Sequence, residues 1–224
     1  MKTRTVIVGY VLALALFLFA QRHPDSSSPT PFHTVVDLTH SIDAQAPAFE
    51  TRIDAPARFS RELWTVDQIP SERLIAPLVV LDVSPNIENH PDYQISLEDI
   101  ARWEQTHNQI PLGSVVIART GWNPRRSSAK NYRNLHFPGY SQDAAKFLVE
   151  GRNVVGLGID TPGIDPGPSK DFPVRQYALS HSVYQLENVA SLDRAPTAGG
   201  TVVVAPSKLE SGFSAPVRIL ALAR

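Results

Sequence analysis

Leu78-Val79-Val80-Leu81-Asp82-Val83 is an apolar run broken by a single acid, with no alternation of polar and apolar positions. A strand with one wet face alternates with period two, and so short a run does not make a buried helix. The run predicts a strand covered on both faces, so its sheet needs a layer on either side. The remaining pattern offers such layers. Ser96, with Asp99 three residues on, forms a capping box and predicts a helix through about His107. Ser141 predicts a second helix through Glu150, with Gly151 just past its end. Residues 35–38, 114–118, 153–158, 201–205 and 217–222 predict further strands, and Asp160-Thr161-Pro162-Gly163 breaks the third of these. Strands alternating with helices make a mixed α/β chain with a largely buried sheet.

At 224 residues the chain is long enough for one domain with a sizeable core. Its formal net charge of −1 leaves no electrostatic footprint for nucleic acid. Nineteen prolines among 42% hydrophobic residues point to rigid turns rather than disorder. With no cysteine, thiolate catalysis, disulfides and Cys-ligated zinc are excluded. Lys2 and Arg4 precede an apolar run over 6–20. As a helix it would span roughly 22 Å, short of a bilayer core of about 30 Å. The expectation is a signal peptide or N-terminal anchor over 1–20, a flexible Ser/Pro-rich tether over 21–33 and one domain over 34–224. Export to a periplasm or to the outside follows, with anchoring through 6–20 as the alternative to cleavage, and with no stable transmembrane span.

The stretch Thr51-Arg52-Ile53-Asp54-Ala55-Pro56-Ala57-Arg58-Phe59 resembles the signature of the cyclase/kynurenine formamidase family of metal-dependent hydrolases, H-x-G-T-H-x-D-x-P-x-H. Here Asp54-Ala55-Pro56 keeps the D-x-P core, while the three histidine positions fall on Ala48, Arg52 and Arg58. Other segments carry the same likeness: Asp37-Leu38-Thr39-His40, Arg119-Thr120-Gly121-Trp122, His136-Phe137-Pro138-Gly139, Gly158-Ile159-Asp160-Thr161-Pro162 and Ile164-Asp165-Pro166-Gly167. The family's F-P-V-H reads Phe172-Pro173-Val174-Arg175 here, and the Glu expected twelve residues later is Glu187. Only thirteen residues separate His40 from Asp54, fewer than the family usually has, which implies a more open pocket. The resemblance implies a swivelling β/β/α-type cyclase fold, assembly into a homodimer or homotetramer, and hydrolysis of aryl formamides or of cyclic amides and esters. It also implies that Asp54 and Glu187 are the retained metal ligands and that the family's catalytic histidine position is Arg58.

A hydrolytic metal site needs three or four protein ligands and an open position for water. Guanidinium groups neither ligate nor give up a proton. A divalent cation about 4 Å from one arginine would meet repulsion of roughly 8 kcal/mol at an effective dielectric of 20. No cofactor is therefore expected, or at most a weakly bound divalent metal (Mn, Mg or Zn) on the two acids. Arg52, Arg58 and Arg175 would instead act as counterions to Asp54 and Glu187, leaving one surplus positive charge for a small anionic ligand. The site can equally be a closed structural network.

His136 is a candidate ligand contact, because its segment helps to line the pocket in the family. His40 suits a turn, and His90, His107 and His181 show no metal-ligand spacing. Ser180-His181-Ser182 lacks the glycines of a nucleophile elbow. Trp64, Trp103 and Trp122 read as core or interface aromatics, and Asp160 and Asp165 as turn-fixing acids. Two functions stay open: a working hydrolase with a reduced metal site, and a non-catalytic family member whose pocket binds a small anion or is purely structural.

Overall fold

The computed structural model describes residues 31–42, 50–87, 90–122 and 136–224. Ala48 and the apolar run over 6–20 lie outside them, and no described helix is long and apolar enough to cross a membrane. Residues from Phe32 to Arg224 form one compact unit.

Strand alternation organises that unit. In β3 (Ile75–Asp82) Ala76, Leu78 and Val80 belong to one core, and Val79 and Leu81 to another. In β5 (Val115–Arg119) Val115 and Ile117 face the first core, and Val116 and Ala118 the second. The apolar run is thus buried on both faces because each face has its own core. The first core fills a barrel. Its strand order is β10 (Ser214–Ala223), β2 (Arg52–Asp54), β8 (Tyr184–Glu187), β7 (Gly156–Ile159), β5, β3 and β9 (Gly200–Pro206), and β9 pairs again with β10 to close the ring. The β3–β5, β5–β7 and β7–β8 pairs are parallel, and the other ring pairs are antiparallel.

Closure depends on β10. It pairs β2 through Ser214–Pro216, β9 through Val217–Leu222, and β1 (Thr34–Asp37) through Leu220–Ala223. Glycine makes room inside. A Cβ at Gly156 would lie 2.5 Å from Cε2 of Tyr184, whose ring occupies the interior.

Helices cover the parallel strands from outside. In α1 (Leu97–His107) the capping box is formed: Ser96 Oγ accepts from the Asp99 amide at 3.3 Å, and Asp99 Oδ2 from the Ser96 amide at 2.9 Å. Ile100 and Trp103 are its buried face, and Trp103 Nε1 donates to the Val80 carbonyl at 3.0 Å. Ser141 caps α2 (Gln142–Lys146), which widens into one π-helical turn, Phe147–Gly151. The expected α-helix through Glu150 is therefore shorter, and the reversal falls on Asn153 in the left-handed region (φ 46°) instead of on Gly151. Asparagine tolerates that region because its short side chain bonds locally. A third helix, α3 (Pro173–Ser180), and the strands β2 and β8 lay outside the sequence pattern. A small parallel sheet, β4 (Gln94–Ile95) with β6 (Gly139–Tyr140), sits apart from the barrel sheet.

Candidate functional site

β2 and β8 run antiparallel with Arg52 opposite Glu187 and Asp54 opposite Gln185. Residues facing each other across such a pair project to the same side of the sheet. Ile53 and Leu186 belong to the barrel core, so Arg52, Asp54, Gln185 and Glu187 share the outer face. The sequence placed Asp54 and Glu187 together by likeness alone; the β2–β8 register is the physical cause.

Two more elements bring the arginines. The 3₁₀ turn Pro56–Arg58 follows β2, and Arg58 Nη1 donates to Asp54 Oδ1 at 2.9 Å. Helix α3 carries Arg175 onto Glu187 Oε1 in a direct ion pair. Both acids are almost wholly buried, and so is Gln185, whose Nε2 donates to the Arg175 carbonyl at 3.0 Å. Arg52 turns aside. Its Nη1 is 3.4 Å from Glu50 Oε1, and its Nε donates to Ser214 Oγ at 3.0 Å. Glu50 thus joins the group, making three acids (Glu50, Asp54, Glu187) against three arginines. The surplus positive charge read from the sequence is met by Glu50, an i, i+2 neighbour of Arg52 that the motif comparison passed over.

Electrostatics follow the burial. Loss of solvent, then the charge of Asp54, push the Glu187 carboxyl up to about 7, against the pull of Arg175, Arg58 and Arg52. Asp165 holds the start of α3, accepting from the Val174 amide at 2.8 Å and the Arg175 amide at 3.0 Å. Burial raises its pKa and those two bonds oppose the rise. Asp160 ties β7 to the end of β5 through the Thr120 amide and hydroxyl and the Gly121 amide, and burial takes it up to about 6. Both acids fix backbone.

His136 is not part of this group. Its Nδ1 lies 2.5 Å from Asp92 Oδ2, an acid that no sequence signal had singled out. The neighbouring Phe137 does approach: a Cβ at Gly163 would sit 3.4 Å from Arg175 Nη2 and 3.8 Å from the Phe137 ring. His40, His107, His181 and the three tryptophans have partners elsewhere. The His40 amide donates to Thr51 Oγ1 at 2.9 Å, His107 stacks on Trp103, and His181 lies against Tyr177. Arg73 sits over Trp64, and Trp122 meets Phe137 edge-on.

A divalent metal does not fit these residues. Asp54 and Glu187 are each held by a guanidinium, and among the described residues no group of three or more His, Cys, Asp or Glu is arranged to hold an ion. Ala48, which the resemblance set at a histidine position, lies outside the described residues.

The family model described as "Putative cyclase" matches residues 36–166. Isatin hydrolase from Roseibium aggregatum is 32% identical over 165 residues, covering 70% of this chain and 62% of its own length. The chain therefore spans less than two thirds of that relative. Kynurenine formamidase from Bacillus cereus is 26% identical over 168 residues, covering 75% of this chain and 72% of its own length. Among solved structures, isatin hydrolase A from Labrenzia aggregata bound to benzyl benzoate superposes with a TM-score of 0.76 at 28% identity, over 85% of this chain and 93% of that one. An isatin hydrolase bound to the product analogue thioisatinate gives 0.72 at 26% identity, over 100% and 99%. The matched family model spans more than half of the chain and the barrel is that of these solved hydrolases: the chain belongs to the cyclase family.

Proposed function

We propose that this domain is a cyclase-family hydrolase relative in which ion pairs occupy the place of the metal, so that it does not hydrolyse aryl formamides or cyclic amides through a metal-bound water. One observation carries the reading: Arg58 on Asp54 and Arg175 on Glu187 each stand at a position where the resemblance puts a histidine. A metal-activated water would supply the nucleophile at neutral pH, and nothing in the ion-pair network replaces it. Pairing within the network favours a closed structural role over capture of a small anion, because each of the three arginines already has an acid partner: Arg52 with Glu50, Arg58 with Asp54 and Arg175 with Glu187.

The full chain, supplied with Mn²⁺ or Zn²⁺, is expected to turn over an aryl formamide and isatin near the uncatalysed rate. Robust turnover abolished by a chelator would overturn the proposal. The triple variant Arg52→His, Arg58→His, Arg175→His removes the repulsion and offers imidazoles beside Asp54 and Glu187. Calorimetry is expected to show Zn²⁺ or Mn²⁺ binding that the parent lacks. Tight binding of one metal per parent chain would equally sink the reading.

A further inference from the structure

Outside the ion-pair network, the small sheet creates an arrangement with its own chemistry. β4 and β6 pair with Gln94 opposite Gly139, and the Gly139 amide donates to the Tyr93 carbonyl at 3.1 Å. That pairing holds the segment before β4 against the segment before β6, which is why Asp92 meets His136 across 44 residues of sequence. A carboxylate can only accept, so in the neutral imidazole Nδ1 carries the proton and Nε2 keeps its lone pair. Among the described residues nothing bonds Nε2, and the His136 side chain is 62% exposed. Asp92 also lines a cavity of about 470 Å³ with His90, Pro91, Tyr93 and Gln94. Its other oxygen, Oδ1, is buried without a donor among the described residues, an acceptor that a water would satisfy.

We propose that His136, positioned by Asp92, is the general base of a metal-independent esterase site beside the cavity that Asp92 lines. In the reaction, Nε2 takes a proton from water as the water oxygen bonds to the ester carbonyl carbon. The C–O bond to the alcohol then breaks, and the departing oxygen takes the proton back from the imidazolium, giving a carboxylic acid and an alcohol. The magnitude of base catalysis sets the substrate class. A positioned base contributes roughly 10²–10⁴-fold, enough for an ester whose alcohol leaves as a weak base and too little for an unactivated amide. Aryl esters meet this condition, and the edge-to-face pair of Trp122 and Phe137 adjoins the residue that carries the base, with the Trp122 Nε1 donating to the His136 carbonyl at 3.3 Å. The site and the network on β2 and β8 share no described hydrogen bond or ion pair, so either proposal can fail without the other.

The test uses the full chain, 4-nitrophenyl acetate and excess chelator. The expected result is chelator-insensitive turnover that His136→Gln lowers by roughly a hundredfold, while His181→Gln, which removes another exposed imidazole, leaves it unchanged. Asp92→Asn is expected to lower kcat with KM unchanged, since Asp92 orients the base and does not touch the ester. Free imidazole should restore turnover to His136→Gly, which a merely structural histidine would not allow. Turnover equal in the parent and in His136→Gln, a rate no higher than that of the same concentration of free imidazole, or loss of activity with chelator would each overturn the proposal.

Discussion

Glu187 is buried with a carboxylate on one side and an arginine on the other, and its protonation is set by that competition. Its pKa rises from an ordinary 4.5 to about 7, first through lost solvation and then through Asp54. Between those values the folded chain binds more protons than the unfolded chain, so stability is fully present below about pH 4.5 and falls as pH rises towards 7. A tenfold change in proton affinity is worth about 1.4 kcal/mol, so the fall is on the order of a few kcal/mol. Asp160, raised to about 6, titrates in the lower part of the same window. Urea unfolding at closely spaced pH values is therefore expected to show stability declining up to pH 7, and Glu187→Gln to flatten the curve above about pH 6. A curve that rises over that range, or that Glu187→Gln leaves unaltered, would contradict the electrostatic reading. Arg52, Arg58 and Arg175 were legible as departures from a motif. Glu50 and Gln185 were not, because Glu50 meets Arg52 just ahead of β2 and Gln185 joins the group through its place on β8, and a motif encodes neither.

Helix α3 shows why element boundaries depend on distant residues. Phe172 precedes it in the left-handed region (φ 46°) and offers no side-chain cap, and Pro173 at the first turn leaves one fewer amide to satisfy. The Val174 and Arg175 amides are satisfied by Asp165, which comes in from the preceding loop. Asp165→Ala is expected to destabilise the domain by about 2 kcal/mol, as for loss of a strong N-cap. Amide exchange at Val174 and Arg175 should quicken, and Asp165→Asn, which keeps one acceptor, should cost less. Unchanged exchange in Asp165→Ala would show that α3 is held by packing alone. A local capping signal made α1 readable from Ser96 and Asp99. The same test misses α3, whose cap lies eight or more residues upstream.

Across the whole molecule, stability rests on a ring of strands filled by side chains of fitted size. Gly156 and Tyr184 are opposite one another in the parallel β7–β8 pair, and the tyrosine ring fills the volume that a Cβ on residue 156 would need. Tyr184 is itself pinned, its hydroxyl donating to the Arg73 carbonyl at 2.9 Å. Gly156→Ala is expected to lower stability by about 1–3 kcal/mol through overpacking, read as a reduced denaturant midpoint. Gly156→Ala combined with Tyr184→Phe removes only the hydroxyl bond and should not relieve the clash, whereas Tyr184→Leu should relieve part of it. A neutral Gly156→Ala would show that the interior near β7 has room to spare.

The amino-acid sequence by itself determined the short buried strands, the helix beginning at Ser96 and the mixed α/β class. These are properties of neighbouring residues: side-chain period and capping chemistry. The tertiary structure alone decided that the sheet closes on itself through β10, that Glu50 balances Arg52, that Asp165 starts α3 and that Asp92 holds His136. Each of these joins groups that only folding brings within bonding distance, such as Arg52 with Ser214 across 162 residues. Hydrogen bonds and ion pairs act over about 3–4 Å, so at such separations their partners are chosen by strand register and helix docking.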